Sequence, residues 1–136
     1  MIMDAEKIER LREANILTPK EGILREESLA SWRLASNLTF NGFLINALFS
    51  TSETHRSIEF INTAVPFIGA TISFSFLLVS LMGTRAKHRY TLENIALQGE
   101  SKKPRVWVFY GHNFLGPYVS TNFLLFVFWL WYFFWR

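Results

Sequence analysis

The sequence predicts an all-α integral membrane protein with three transmembrane helices and amphipathic cytoplasmic helices at its N-terminus. Two observations predict this fold class. Three long windows, 34–52, 60–84 and 106–135, contain no Asp, Glu, Lys or Arg, although 18% of all residues are charged. Lys and Arg are concentrated in the segments that would lie on one side of the spans. A hydrocarbon core of about 30 Å takes about 20 helical residues to cross, so each window is long enough or nearly so.

A soluble three-helix bundle is the alternative, because half of the residues are hydrophobic and a chain of 136 residues could bury many of them. Buried helices of soluble proteins usually have charged residues along one face. The three windows have none, which favours membrane spans. The charged, amphipathic start of the sequence is unlike a secretory signal peptide. The absence of cysteine excludes disulfides, thiolate metal sites and cysteine catalysis.

The distribution of Lys and Arg predicts the orientation. Residues 1–33 contain six Lys or Arg and the linker 84–105 contains six more, whereas 52–59 contains only Arg56. Lys and Arg near membrane ends are retained in the cytoplasm. We therefore expect a cytoplasmic N-terminus and linker, with the C-terminus on the opposite side. A bacterial inner membrane is the expected location, and an organellar membrane is the alternative.

The cytoplasmic N-terminal segment, 1–33, predicts two helices. The first is amphipathic and covers about 4–14. Thr18 and Glu21 then form a capping box around Pro19, which occupies the first helical position, where its missing N–H has no cost. We expect a second helix to start at Pro19 and to continue into the first span.

The second span, 60–84, is expected to extend beyond the membrane. Helix-compatible residues fill the first part of the basic linker, 85–105, up to Gly99, which is a typical helix C-terminus. The sequence therefore predicts a long helix with a cytoplasmic end.

The last segment, 106–136, is expected to be interrupted at Gly116-Pro117, because proline removes a backbone hydrogen bond and clashes with the preceding turn. We expect an interfacial piece, Val106–Leu115, followed by a third span over about 118–135. Whether the first piece is interfacial or part of the span is left open.

Small residues recur along one face of the first and second spans. In lipid, helix association relies on close backbone approach and interhelical hydrogen bonds. The sequence therefore predicts that these spans form an antiparallel hairpin, with the aromatic third span outside it and facing lipid. The residues predicted to pack helices together are Gly42, Gly69, Ser73 and Ser80.

Asn37 and Asn41 lie one helical turn apart on a common face of the first span. A carboxamide in hydrocarbon needs hydrogen-bonding partners. Two interpretations are open: the side chains bond to a neighbouring helix, or they line a pore between symmetric copies of the chain. A three-span monomer cannot enclose a pore, so the second interpretation requires a homo-oligomer.

The sequence has no arrangement typical of an enzyme. His55 is predicted outside the membrane, whereas His88 and His112 are predicted inside, so they cannot form one site. We expect no catalytic residues, no metal site, no cofactor and no nucleic-acid partner. No charged residue lies within a span, which argues against a pump or coupled carrier but leaves a passive pore open.

The basic linker suits a contact with anionic lipid headgroups, since each basic residue near the membrane surface contributes about 1 kcal/mol. The alternative is that these charges serve orientation alone. The candidate headgroup-binding residues are Arg85, Lys87, Arg89, Lys102, Lys103 and Arg105.

Two functions therefore remain as hypotheses. The first is a homo-oligomeric passive pore, an ion channel or a membrane-permeabilising effector, controlled by its cytoplasmic helices. The alternative is a structural, accessory or assembly subunit of a larger membrane complex, without catalytic activity. The expected partners are the lipid bilayer, further copies of the chain and, for the alternative, the other subunits of that complex.

Overall fold

The computed structural model describes residues 6, 7, 9, 10, 18–50, 55–97 and 106–135. Their backbone is helical except at Thr18, Gly116 and Trp135. The predicted all-helical fold is therefore confirmed for this part of the chain. Four helices are defined in chain order: α1 Pro19–Ser50, α2 His55–Leu97, α3 Val106–Leu115 and α4 Pro117–Phe134.

Parts of three predicted segments lie outside the described residues. These are most of the first amphipathic helix, the loop between the first two spans at 51–54, and the linker residues 98–105. Residues 6, 7, 9 and 10 are helical, and an exposed ion pair joins Arg10 to Glu6 at 2.6 Å.

The start of α1 is fixed by the predicted capping box. The backbone N–H and the hydroxyl of Thr18 donate to Glu21 Oε2, at 2.9 and 2.8 Å. In return, the Glu21 N–H donates to Thr18 Oγ1 at 3.3 Å. These bonds satisfy donors that the first helical turn would otherwise leave without partners. From Pro19 the helix runs for 32 residues without a break, which is about 48 Å.

The central helix is α2, because both α1 and α4 pack along it. It has 43 residues and contains Pro66, which is buried. Its length of about 65 Å is about twice the thickness of a hydrocarbon core. The helix continues past the first charged residues of the linker to Leu97, as the sequence predicts.

α1 and α2 form an antiparallel hairpin. Lys87 Nζ lies 2.7 Å from Glu27 Oε1, and the Ser73 hydroxyl donates to Asn41 Oδ1 at 3.4 Å. Moving 14 residues along α1 thus corresponds to moving 14 residues back along α2. The hairpin continues from the apolar windows into the charged ends of both helices.

The predicted break before the last helix is present. Gly116 is extended, with φ −66° and ψ 155°, and it separates α3 from α4. Pro117 occupies the first position of α4, where a backbone N–H would have no helical partner. α3 is therefore a separate short helix and not the beginning of a longer one.

α4 differs from the lipid-facing outer helix that its aromatic sequence predicts. Val119, Asn122 and Trp129 are at most 2% exposed and form one buried face against α1 and α2. The physical reason is that the Asn122 carboxamide and the Trp129 indole N–H need hydrogen-bonding partners, which only the protein interior supplies. The opposite side remains exposed, as Trp131 and Phe134 illustrate.

The packing face of α1 also differs from the prediction. Gly42 is exposed, and a Cβ added there would meet no atom within 4 Å, so Gly42 packs no helix within the subunit. Asn37 and Asn41 occupy the buried face instead, because hydrogen bonding of their carboxamides outweighs the fit of small residues. The other predicted packing residues, Gly69, Ser73 and Ser80, are buried between helices.

Two helices of the described chain are long and apolar enough to cross a membrane, α4 and the part of α2 from Glu59 onward. Only 17% of the most apolar window of α4 and 33% of that of α2 are buried, unlike the core helices of soluble proteins. Large apolar side chains such as Phe60, Phe67 and Phe134 are more than half exposed. An apolar surface of this extent is unusual for a soluble monomer, and it suggests a membrane location.

Candidate functional site: a buried polar cluster

Six polar side chains meet where α1, α2 and α4 come together. Each is at most 5% exposed, and Asn37 and Asn122 are completely buried. Because the surrounding surface is apolar, these residues are the most unusual feature of the interior. We call them the polar cluster: Asn37, Asn41, Ser73, Ser80, Asn122 and Trp129.

Asn122 joins all three helices at one level. Its Oδ1 accepts a hydrogen bond from Asn37 Nδ2 at 2.6 Å. Its Nδ2 donates to Ser80 Oγ at 2.9 Å and to the carbonyl oxygen of Tyr118 at 2.7 Å. α4 is thereby linked to α1 through one atom of the carboxamide and to α2 through the other.

Asn41 joins the same three helices at a second level. Its Nδ2 donates to Asn37 Oδ1 at 2.6 Å and to the Asn37 carbonyl oxygen at 2.7 Å. Its Oδ1 accepts hydrogen bonds from Ser73 Oγ on α2, at 3.4 Å, and from Trp129 Nε1 on α4. The two levels are connected because Asn37 belongs to both.

Gly69 makes room for the Trp129 indole. A Cβ at position 69 would lie 2.7 Å from Trp129 Nε1 and 2.5 Å from Cδ2, which is well inside van der Waals contact. The missing side chain therefore allows the indole to lie flat against the backbone of α2 and to reach Asn41. Small size at this position is a requirement of the polar cluster.

The polar cluster has its hydrogen-bonding partners within the subunit. Both the oxygen and the nitrogen of each of the three carboxamides are engaged. A buried polar group without a partner costs about 1–3 kcal/mol, so these bonds stabilise one specific arrangement of the helices. None of the six side chains titrates near neutral pH, so the cluster by itself offers no general acid or base.

The position of Asn37 and Asn41 bears on the two interpretations of their sequence pattern. Both side chains point into the subunit and bond to neighbouring helices. This geometry matches the first interpretation. A pore between symmetric copies would need the two residues on an outer face of α1, and they do not lie on one.

A second polar region lies at the charged end of the hairpin, next to Ser80. Arg33 Nη1 lies 3.4 Å from Glu26 Oε2, and both side chains are less than 20% exposed. A cavity of about 40 Å³ lies between this pair and Lys87, which is room for about two or three water molecules. Gly83 leaves space for the pair, because a Cβ there would lie 3.0 Å from Glu26 Oε2 and would overlap Arg33.

The candidate headgroup-binding residues have different surroundings. Arg85 is exposed and forms no ion pair with any residue that the structure describes. Lys87 is half-buried and paired with Glu27, and Arg89 lies 3.5 Å from Glu93. The other three candidates, Lys102, Lys103 and Arg105, lie outside the described residues.

His88 and His112 have different surroundings. The ring of His88 contacts those of Phe109 and Tyr110, with centroids 4.7 and 5.2 Å away. His88 Nε2 is buried and has no hydrogen-bond partner among the described residues, whereas His112 is exposed. The described residues contain no group of three His, Cys, Asp or Glu that could hold a metal ion.

Sequence reasoning did not identify the roles of Asn122 and Trp129. Asn122 is the only Asn, Asp, Gln or Glu within α4, and it has to find a partner in an apolar helix. That signal could have paired it with Asn37 or Asn41. For Trp129 no comparable signal exists, since four further tryptophans and many phenylalanines occur in the chain.

Comparison with known protein families, curated proteins and solved structures gave no significant match to this chain.

Proposed function

We propose that the protein is a three-span membrane protein that serves as a non-catalytic structural or accessory subunit of a larger membrane complex. The observation that carries this proposal is the closed polar cluster. It stabilises a fixed three-helix unit, and it satisfies the hydrogen-bonding groups of Asn37, Asn41 and Asn122 inside the subunit.

The proposal adds α1 to the two helices that are apolar enough to span a membrane. Its asparagines lower its average hydropathy, but Asn37 and Asn41 are turned inward and hydrogen-bonded. The outer side of the same stretch presents Phe40, Phe43 and Phe49, which are 51%, 70% and 84% exposed. These apolar side chains are suited to contact with lipid, and the polar atoms of Asn37 and Asn41 are satisfied within the protein, so this part of the helix is compatible with hydrocarbon.

The charged end of the hairpin is assigned to the cytoplasm. Lys87 and Arg33 lie at that end, together with their acidic partners Glu26 and Glu27. Basic residues near membrane ends are retained on the cytoplasmic side. The start of α1, from Pro19 to about Arg33, would then project about 20 Å from the membrane, alongside the end of α2.

A fixed unit of this shape has two surfaces for contacts with other subunits. One is the aromatic outer side of α1, α2 and α4, and the other is the projecting end of the hairpin. An accessory subunit binds and positions other subunits. These surfaces can do so without reactive groups.

The test is the composition of the particle that mild detergent extracts from native membranes. We expect the chain to co-purify with larger membrane proteins at a fixed stoichiometry that survives dilution. Asn37→Leu, which breaks the polar cluster, should reduce this association, whereas His112→Gln, at an exposed position of α3 outside both surfaces, should not. A particle that contains only this chain would contradict the proposal.

A passive pore is a second candidate because of a different group, Asn46. Its carboxamide is exposed on α1, and its one bond among the described residues is acceptance from the Ser50 hydroxyl at 3.2 Å. Thr39 and Ser50 share this outer side of the helix. In a ring of copies, these three side chains would supply an uncharged polar lining, and Asn37 and Asn41 would support it from behind.

The pore is tested by ion flux from liposomes that contain the purified chain, with the particle mass measured on the same sample. We expect Asn46→Leu to abolish flux while the particle mass stays constant. If Asn37→Leu/Asn41→Leu abolishes flux in an assembled particle and Asn46→Leu does not, the lining is the pair of residues first predicted from the sequence. A tight monomer without flux would exclude both versions of the pore.

A further inference from the structure

An apolar groove lies beside the short helix α3. Its volume is about 270 Å³, and it is open to the outside between α2, α3 and α4. The only hydroxyl on its α2 side, that of Thr84, already donates to the Ser80 carbonyl oxygen at 3.1 Å. The groove therefore offers an apolar surface. It is lined by Leu81, Thr84, Tyr110, Gly111, Phe114 and Val119.

Gly111 keeps the groove open. A Cβ added at this position would meet no atom within 4 Å, so the space in front of α3 is not used by the protein itself. A side chain at position 111 would therefore occupy part of this space.

The groove lies at the depth where acyl chains meet headgroups. Thr84 is the last residue of the charge-free window of α2, and Arg85 is the first charge after it. Arg85 is one helical turn beyond Leu81, on nearly the same side of α2. In the proposed orientation, the groove opens into hydrocarbon and its polar end reaches the cytoplasmic headgroup layer.

Charge and hydrogen bonding at this end favour an anion. Arg85 is exposed and forms no ion pair with the described residues, in contrast to Lys87 and Arg89. The hydroxyl of Tyr110, a residue that lines the groove, also has no hydrogen-bond partner in the described part of the chain. The phosphate of an anionic lipid can accept from both groups, whereas in a zwitterionic lipid the cationic choline is repelled by Arg85 and offsets part of this attraction.

We infer that the groove between Leu81, Gly111 and Phe114 binds one acyl chain of an anionic phospholipid whose phosphate contacts Arg85. The inference rests on the proposed insertion into a membrane. It assigns the headgroup contact to one basic residue, and it gives α3 the role of holding the lipid against the bundle.

The test uses the full chain in phosphatidylcholine liposomes that contain a small fraction of photoactivatable lipid. The probe is phosphatidylglycerol or phosphatidylcholine with a diazirine in one acyl chain, and labelling is mapped by mass spectrometry. We expect phosphatidylglycerol to label residues 81–84 and 106–115 about fivefold more than phosphatidylcholine. This ratio corresponds to the binding free energy that one basic residue near the membrane surface contributes.

Two variants with matched controls separate the acyl-chain contact from the headgroup contact. Gly111→Leu should remove labelling at both stretches with either lipid, whereas Gly42→Leu, at the other open glycine, should not. Arg85→Gln should bring the labelling ratio of the two lipids close to one, whereas Arg89→Gln should leave it unchanged. Circular dichroism verifies that each variant is helical. Because Arg85 is exposed, Arg85→Gln should leave the packing of the groove unchanged, so its effect on labelling reports the headgroup contact.

The outcomes distinguish this inference from the membrane proposal. If the chain does not float with liposomes in a density gradient, both are overturned. If it floats but labels equally with both lipids, or if Gly111→Leu labels like the unmodified chain, the lipid site is overturned and the membrane proposal stands.

Discussion

The side-chain amide of Asn37 donates to the carboxamide oxygen of Asn122 over 2.6 Å, although the two residues are 85 positions apart in the sequence. Both are completely buried. This contact joins α1 to α4. Ser80 on α2 accepts a further hydrogen bond from Asn122, so all three helices are linked. The polar cluster therefore stabilises one arrangement of the helices relative to the others in which apolar helices could pack.

Removing both partners of this contact should cost less than the sum of the costs of removing each one. Asn37→Leu leaves the acceptor of Asn122 without its partner and removes one of the two acceptors of the Asn41 amide, and we expect a loss of about 1–2 kcal/mol in the free energy of unfolding. Asn37→Leu/Asn122→Leu should cost less than the sum of the single variants, because fewer groups remain unpaired. Unfolding by sodium dodecyl sulfate in mixed micelles measures the double-mutant cycle.

The control for this cycle is Asn46→Leu, which removes an exposed carboxamide from the same helix. Its effect on unfolding of the subunit should be small. If Asn37→Leu is no more destabilising than Asn46→Leu, the polar cluster does not stabilise the bundle.

A side chain at position 69 should displace the Trp129 indole. We expect Gly69→Val to destabilise the bundle by about 1–3 kcal/mol, the usual cost of overpacking, and to break the bond from Trp129 Nε1 to Asn41. Thermal unfolding and tryptophan fluorescence measure the two effects. Gly42→Val makes the same chemical change in open space, and equal effects of the two variants would contradict the role of Gly69.

The two acidic residues at the charged end should contribute unequally. Glu26→Gln leaves the Arg33 guanidinium, only 19% exposed, without its counter-charge. We expect this variant to cost about 1–3 kcal/mol in the free energy of unfolding. Glu27→Gln breaks a more exposed pair with Lys87 and should cost less than about 1 kcal/mol. Thermal unfolding measures which variant is less stable. If Glu27→Gln were the more destabilising, the Glu26–Arg33 pair would not be the more buried of the two.

An apolar ring should replace His88 without loss. Its Nε2 is buried without a hydrogen-bond partner in the described part of the chain, and its ring contacts are with Phe109 and Tyr110. His88→Phe keeps the ring contacts and removes the unpaired nitrogen. We expect it to increase the free energy of unfolding by up to about 1 kcal/mol. A clear decrease would indicate that the nitrogen has a partner outside the described residues, and His88→Leu, which removes the ring, serves as the comparison.

Local signals determined the boundaries of the helices. The Thr18–Glu21 capping box, the break at Gly116-Pro117 and the long overrun of α2 were all predicted, because each depends on residues within one or two turns. The packing faces could not be predicted in the same way. Gly42 and Asn41 are neighbours in sequence, and whether one or the other faces the interior depends on partners supplied by α2 and α4.

The sequence by itself thus determined that the described part of the chain is helical, where α1 begins and where α3 and α4 separate, and that long apolar segments are present. These properties follow from charge distribution, capping and proline, which act over short distances along the chain. Only the tertiary structure decided which side of each helix is buried and which polar residues meet. That choice depends on hydrogen bonds between residues as distant as Asn41 and Trp129, whose geometry exists only once three helices have packed together.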